Sequence, residues 1–183
     1  MANDSHNRAN IELQGYDYSS SGIYFVTICT QNKLCLFGEV IDSEILLNEP
    51  GKMLMQVYNE LSDKFPDIRC HEIIIMPNHI HFIIENVAAN RPISQTDTNN
   101  ELSEHIGSPL YPIIQWFKSS TKNLYIDGVK KCGWKPFYKK IWQLNYHEHI
   151  IRSEESYISI TDSMISNPIN WESDEYYINQ THQ

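Results

Sequence analysis

Stretches rich in β-branched and aromatic residues alternate along this chain with stretches whose apolar residues recur at helical spacing. Three stretches of the first kind predict strands: residues 22–30, 68–76 and 79–85. Pro77 and Asn78 lie between the last two, which predicts a tight turn joining two antiparallel strands. A fourth, shorter strand-like stretch lies within residues 141–151.

Three other stretches predict helices. The first follows Asn48, and its apolar stripe comprises Met53, Leu54, Val57, Leu61 and Phe65. The second begins after Pro109, and Gly128 predicts its end. The third is capped by Ser153 and stops at Asn167, because the residue before a proline disfavours the α conformation.

The predicted order is therefore strand, helix, strand, strand, helix, strand, followed by an added helix. This is the order of a ferredoxin-like split βαβ sandwich, an α+β fold with an antiparallel sheet. Between the third strand and the second helix, residues 86–108 are rich in Ala, Asn, Ser, Thr and Gln and predict a polar loop or insertion. No internal repeat interrupts this order.

Composition narrows the class of protein. A chain of 183 residues with 41% hydrophobic and 20% charged residues fits one globular core with tails. No stretch approaches the roughly 18 to 20 uninterrupted apolar residues of a membrane helix. Residues 1–7 lack a signal region, so we expect a cytoplasmic protein without a membrane partner. The cysteines have no Cys-x-x-Cys spacing, which argues against a zinc ribbon and a disulfide framework.

The charge is unevenly distributed. A net charge of -9 argues against indiscriminate nucleic-acid binding, but residues 109–152 hold eight basic against two acidic side chains. Aromatic residues interleave with these lysines, as on surfaces that bind single-stranded nucleic acid: Trp116, Phe117, Tyr125, Trp134, Phe137, Tyr138 and Trp142. The plainer alternative is a solvated helix and loop whose aromatic residues lie in the core.

Two histidines one residue apart lie in the predicted third strand. Positions two apart share a face of an extended strand, so His79 and His81 present both imidazoles to one side. The pair is a candidate metal site, and its alternative is a half-exposed strand face. A second pair, His147 and His149, leaves open an unrelated ferredoxin-like protein in which all four histidines form a zinc-like cluster.

Several separated segments resemble one family. They are residues 22–30, the run from Met76 to Glu85, Lys118, residues 141–143, residues 148–152 and Asn167-Pro168. Together they resemble the REP-associated tyrosine transposases, relatives of the single-tyrosine HUH transposases of small insertion sequences. The resemblance implies one domain over residues 15–171 with the insertion 86–108, an N-terminal tail over residues 1–14 and a C-terminal tail over residues 172–183.

The resemblance implies a DNA endonuclease and strand transferase that acts in DNA transposition, a form of DNA recombination. HUH endonucleases attack a phosphorus of single-stranded or hairpin DNA with a tyrosine hydroxyl, giving a covalent 5′-phosphotyrosine and a free 3′-hydroxyl. Two histidines and a further polar side chain bind Mg²⁺ or Mn²⁺, which polarises the scissile phosphate. His79 and His81 match the paired histidines, and Asn167 matches the third metal ligand.

Ser163 stands where the family has its catalytic tyrosine, four residues before Asn167. A serine hydroxyl is shorter than a phenol and less acidic. Either cleavage is lost, leaving a catalytically impaired DNA-hairpin-binding descendant, or another tyrosine substitutes. Tyr157 is a weak candidate because it lies six residues earlier, about 9 Å along the helix axis. No motif supports the further candidates, Tyr146, Tyr176 and Tyr177.

Basic residues of the chain are candidate phosphate contacts. The set predicted to bind DNA is Lys118, Lys122, Lys139, Lys140, His149 and Arg152. Lys118 and Arg152 rank first, and the resemblance gives His149 a counterpart in the family. The alternative is that these are solubilising charges. The sequence leaves open which DNA is recognised and whether the protein is a monomer or a homodimer.

Overall fold

The computed structural model of this protein describes residues 22–87 and 108–178. In chain order its elements are β1 (Gly22–Cys29), β2 (Gly38–Ile41), β3 (Glu44–Leu47), α1 (Glu49–Asn59), α2 (Leu61–Lys64), β4 (Ile68–Ile75), β5 (His79–Asn86), α3 (Tyr111–Cys132), β6 (His147–Ile151) and α4 (Glu154–Ser166). Short 3-10 turns lie at Gln31–Lys33 and Trp171–Ser173.

One four-stranded antiparallel sheet organises these elements, with the strand order β4-β5-β1-β6. Strand β5 separates β1 from β4, which run in the same direction, so α1 and α2 connect the outer strands of a split βαβ unit. The structure confirms the predicted α+β fold and its added C-terminal helix. None of the helices in the described ranges is long and apolar enough to span a membrane.

Alternation along β1 and β5 assigns a different role to each face of the sheet. One face packs on α1 and α3 through a large core that includes Tyr24, Val26, Ile28, Ile80, Phe82 and Ile84, each fully buried. Full burial of each such side chain is worth about 1.5–3 kcal/mol. A smaller cluster on the opposite face joins Phe25 and Ile83 to Met164 of α4. Along each strand, the residues that alternate with those of the large core face α4, and the histidine pair lies on this face.

The predicted helix caps are present. Asn48 Oδ1 accepts a hydrogen bond from the Gly51 amide at 3.0 Å at the start of α1. Ser153 Oγ accepts one from the Ser156 amide at 3.1 Å at the start of α4. Both side chains satisfy amide groups that the first turn of a helix leaves without a partner.

Two details of the sequence prediction are wrong. The helix predicted to end at Gly128 continues to Cys132, and Gly133 terminates it with a left-handed φ of 70°. The first predicted helix is broken after Asn59, so Leu61 belongs to a separate short helix. The short strand predicted within residues 141–151 is present as β6, and Trp142 ahead of it forms only an isolated bridge to Thr30. In addition, β2 and β3 form a hairpin that the apolar pattern did not predict.

Gly128 lies inside α3 at the point where the helix backbone packs closely against the indole of Trp134. A Cβ atom at this position would lie 2.2 Å from Trp134 Cε3. We expect Gly128→Ala to lower the free energy of unfolding by about 1–3 kcal/mol, the usual cost of overpacking, despite the better helix propensity of alanine. Urea unfolding measures the change. Lys130→Ala, an exposed substitution in the same helix, should leave stability nearly unchanged, and equal midpoints for the two variants would contradict the close contact.

The predicted insertion lies almost wholly outside the described residues. Strand β5 extends to Asn86, one residue beyond the predicted strand, and the chain is described again from Ser108. The predicted N-terminal tail, residues 1–14, lies wholly outside the described residues, whereas the predicted C-terminal tail is described up to residue 178.

Candidate functional site

His79 and His81 extend from β5 on the face of the sheet that α4 covers. His79 pairs with Cys29 of β1 and His81 pairs with Thr27. Their ring centroids are 4.6 Å apart, so the imidazoles are direct neighbours, as the period of two predicts. His79 is fully buried and His81 is partly buried.

A side-chain oxygen orients each imidazole at Nδ1. Asn78 Oδ1 lies 2.9 Å from His79 Nδ1, and Thr27 Oγ1 lies 2.8 Å from His81 Nδ1. The Asn78 amide is itself oriented, because its Nδ2 donates to the carbonyl oxygens of Lys33 and Tyr176. An amide oxygen can only accept, so His79 carries its proton on Nδ1 and has an unprotonated Nε2. Such outer contacts fix the tautomer of metal-binding histidines.

Asn167 ends α4 beside His79. Its Nδ2 donates to Asp174 Oδ2 at 2.7 Å. This bond shows which atom of the amide is the nitrogen, so the remaining polar atom is the oxygen Oδ1. The amide interacts with the His79 imidazole. However, among the described residues neither Asn167 Oδ1 nor His79 Nε2, both buried, has a partner in hydrogen-bond geometry.

These two atoms cannot satisfy each other, because both are acceptors. A buried polar group without a partner costs about 1–3 kcal/mol. A cation held between Nε2 of His79 and Oδ1 of Asn167 would satisfy both atoms at once. The site therefore fits a divalent metal ion on the chemistry of its own donor atoms.

Burial keeps both imidazoles neutral. It is the main cause that lowers the pKa of His79 to about 2; neighbouring His81 lowers this pKa further, and the Asn167 amide opposes the shift. Burial also lowers the pKa of His81 to about 4, against the opposing charge of Asp174. Neutral imidazole is the form that binds metals, so both rings are available as ligands near neutral pH.

A cavity of about 230 Å³ adjoins His81. Its walls comprise Phe25, His81, Ser163, Met164, Asn167, Asp174, Glu175 and Tyr176. Three positions predicted from the sequence, His81, Ser163 and Asn167, thus meet at one cavity. Ser163 and Asn167 are one turn apart on α4, which explains why both side chains face it.

Tyr176 reaches the site from the segment that follows α4. Its ring centroid is 4.6 Å from that of His79 and 6.3 Å from that of His81. Its hydroxyl interacts with the Cys29 thiol and the Glu175 carboxylate. Neither Tyr176 nor Asp174 was predicted to contact the histidines, because no local pattern tells which surface a segment beyond a helix end will cover. The contact of Asn78 with His79 could have been predicted, because the two residues are adjacent in sequence.

The other candidate tyrosines lie away from this cavity. The Tyr157 hydroxyl donates to Glu72 Oε2 and lies 3.4 Å from His71 Nδ1, both on β4. The Tyr146 hydroxyl interacts with Ser108 and Glu148. The Tyr177 ring packs against Trp171, with 5.4 Å between ring centroids. Of the four tyrosines considered, Tyr176 alone lines the cavity.

The alternative of a four-histidine cluster is wrong. His147 and His149 are exposed on β6, and strand β1 separates them from β5. Within residues 22–87 and 108–178, no three or more His, Cys, Asp or Glu side chains lie close enough together to hold a metal ion.

Lys118 has a structural role in this fold. The side chain is buried, and its Nζ donates to the carbonyl oxygens of Gln143, Leu144 and Asn145 at 3.0, 2.9 and 3.1 Å. Burial lowers the pKa of the Lys118 ammonium to about 8. All three donors of an ammonium are thus used to hold the loop before β6. Its predicted contact with DNA stays a prediction.

The remaining predicted DNA contacts are on the surface. Exposed side chains are those of Lys122, Lys139, Lys140, His149 and Arg152. Among the seven aromatic residues interleaved with the lysines, only Tyr138 is exposed, at 75%, while the others are buried or partly buried. The plainer interpretation, aromatic residues in the core, therefore holds for all but Tyr138.

The fold and the site define a ferredoxin-like α+β protein in which His81 and Asn167 line a cavity and the buried imidazole of His79 contacts that of His81. This chain belongs to the same family as a protein from Haemophilus influenzae, strain KW20 / Rd, whose activity has not been characterised. The two are 38% identical over an alignment of 186 positions, and the alignment covers 94% of this chain and 94% of the relative. No protein-family model matches the chain.

Two solved structures are similar in backbone arrangement. One is a REP-associated tyrosine transposase bound to a REP hairpin, with a TM-score of 0.49 and 18% identity, over 82% of this chain and 68% of that chain. The other, from Deinococcus radiodurans R1, has been proposed to be a transposase. Its TM-score is 0.45 and its identity 12%, over 81% of this chain and 92% of that chain.

Proposed function

We propose that this protein binds single-stranded or hairpin DNA and holds Mg²⁺ or Mn²⁺ with His79, His81 and Asn167. The observation that carries the proposal is the pair of buried acceptors, His79 Nε2 and Asn167 Oδ1, that lack hydrogen-bond partners among the described residues. The resemblance of the run from Met76 to Glu85 to the HUH transposases supports DNA as the substrate class.

Each group of the site has a task in this proposal. A bound divalent ion would polarise a DNA phosphate and offset negative charge that develops during cleavage. Asn78 and Thr27 orient the two imidazoles through Nδ1, and Asp174 orients the Asn167 amide. Because both imidazoles are neutral near pH 7, no proton must leave them before they bind the ion.

Two versions of the function differ at position 163. In one, the protein cleaves and rejoins DNA through a covalent 5′-phosphotyrosine. In the other, it is a catalytically impaired descendant that retains DNA and metal binding. Ser163 favours the second version as long as no tyrosine replaces it, because an aliphatic hydroxyl is a weaker acid than a phenol.

The loop over residues 135–140 is the best candidate surface for single-stranded DNA. Tyr138 presents an exposed ring, and Lys139 Nζ lies 5.1 Å from the ring centroid. Lys135 and Lys140 are exposed beside it. A base can stack on the tyrosine while the lysines contact phosphates, which is the usual combination on single-strand binding surfaces.

Fluorescence anisotropy tests the proposed DNA binding. The probes are a labelled pool of stem-loops with randomised single-stranded flanks and a blunt duplex of the same stem. We expect the stem-loop pool to bind more tightly than the duplex, with an affinity that falls as salt rises. Equal affinity for both probes, or no binding at low salt, would contradict the proposal.

Tyr138→Ala should weaken binding of the stem-loop pool by about 5-fold to 150-fold, the equivalent of 1–3 kcal/mol for one stacked base. Tyr138→Phe keeps the ring and should bind like the wild type. Leu144→Ala removes another exposed apolar side chain, 43% exposed, and serves as a matched control. If Tyr138→Ala binds as tightly as Leu144→Ala, the ring does not stack on DNA.

A further inference from the structure

We infer that Tyr176 is the nucleophile of this protein and supplies the hydroxyl that Ser163 cannot. The inference rests on the proposed function and names the group that attacks the DNA. It is carried by the position of the ring at the histidine pair and by the contacts that hold the segment Asp174–Tyr176, hereafter the tyrosine segment, in that position.

The tyrosine segment is attached to the site by the same side chains that arrange the candidate metal ligands. Asn78 accepts from His79 with Oδ1 and donates to the Tyr176 carbonyl with Nδ2, at 2.8 Å. Asn167 donates to Asp174 Oδ2, and Asp174 Oδ1 accepts from the Tyr176 amide at 2.6 Å.

A further anchor comes from the other end of the site. Lys33 Nζ donates to the Glu175 carbonyl at 2.6 Å and lies 5.8 Å from the Tyr176 ring centroid. With the contacts of Asn78 and Asn167, every residue of the tyrosine segment is tied to the site. These contacts hold the backbone of the segment at the site, and the Tyr176 ring lies against the His79 imidazole.

The Tyr176 hydroxyl has a proton acceptor beside it. It interacts with the Glu175 carboxylate and with the Cys29 thiol. Attack on DNA requires the hydroxyl to turn away from the buried thiol and toward the cavity that Tyr176 and Glu175 both line. A carboxylate next to a phenol can accept the proton as the nucleophile forms.

The chemical step balances without a further reactant. Tyr176 Oη bonds to the phosphorus of one phosphodiester, the bond from phosphorus to the 3′ oxygen breaks, and the phenol proton passes through Glu175 to that oxygen. The products are a 5′-phosphotyrosine and a 3′-hydroxyl. Attack by a 3′-hydroxyl on the phosphotyrosine reverses the step and returns the proton to the phenol, so one ester bond is exchanged for another.

Adduct formation tests the inference with full-length protein. Stem-loop oligonucleotides that bind are recovered from the randomised pool and incubated with Mn²⁺, and covalent protein–DNA species are detected on denaturing gels. We expect an adduct on the wild type that mass spectrometry maps to Tyr176. Tyr176→Phe removes one oxygen and keeps the ring, so it should bind the oligonucleotides and Mn²⁺ normally yet form no adduct.

Tyr177→Phe and Tyr157→Phe are matched controls and should form the adduct at the wild-type level. An adduct that persists in Tyr176→Phe, or that maps to another residue, would overturn the assignment. So would wild-type protein that binds DNA and Mn²⁺ without forming any adduct. Absence of DNA or Mn²⁺ binding in the same samples would instead identify a failure of the proposed function, on which the inference depends.

Discussion

Replacing both His79 and His81 by alanine should abolish Mn²⁺ binding in isothermal titration calorimetry. The reason is that the variant loses both nitrogen ligands and keeps one amide oxygen, which binds a divalent ion only weakly on its own. Single replacement of His81 should lower the affinity to an intermediate value. The wild-type reaction should be near one ion per chain if the site is the one formed by His79, His81 and Asn167.

The chain provides its own matched control for this experiment. His147 and His149 form a second pair with the same spacing, exposed on β6 and separated from β5 by β1. Their double replacement by alanine should leave Mn²⁺ binding unchanged. If the two double variants bind Mn²⁺ equally well, the ion is not held by His79 and His81.

Lys118→Ala should lower the free energy of unfolding by about 3 kcal/mol or more, because three carbonyl oxygens in the loop before β6 lose their donor. Urea unfolding measures the loss. Lys118→Met fills the same space without a donor and should also be destabilised, which distinguishes lost hydrogen bonds from lost volume. If Lys118 only contacted a DNA phosphate, its replacement would lower the affinity for DNA and leave the unfolding transition unchanged.

Lys122→Ala is the matched control for Lys118. It lies one turn further along α3 and its side chain is exposed. It should therefore have little effect on stability, typically within about 0.5 kcal/mol. If Lys118→Ala is as stable as Lys122→Ala, the buried ammonium is not needed to hold the loop.

The main strands and helices could be predicted because their signals are local. The β-branched run of β1, the turn at Pro77 and Asn78, and the serine that caps α4 each define an element without reference to the rest of the chain. Gly128 misled the prediction because a glycine at a helix end and a glycine at a close helix–indole contact look alike in sequence. Only the position of Trp134 distinguishes the two cases.

The site was predictable only in part for the same reason. A period of two places His79 and His81 on one face, whereas Asn167 came from the resemblance of its segment to the transposases. The contact of Thr27 with His81 depends on the register between β1 and β5, which a single sequence does not contain. The positions of Asp174 and Tyr176 depend on how the chain turns after α4, and no periodic pattern encodes that turn.

Because two neutral imidazoles are buried, acidic pH lowers the stability of this fold. Well above pH 6.5 both histidines are neutral whether the chain is folded or not, so they cost the fold no stability. Below that value the unfolded chain takes up protons that the folded sheet resists, because the folded pKa values are about 4 for His81 and about 2 for His79. Each histidine then removes up to about 1.4 kcal/mol of stability per pH unit. Acid would therefore weaken the sheet at the same strand positions from which the proposed metal ligands project.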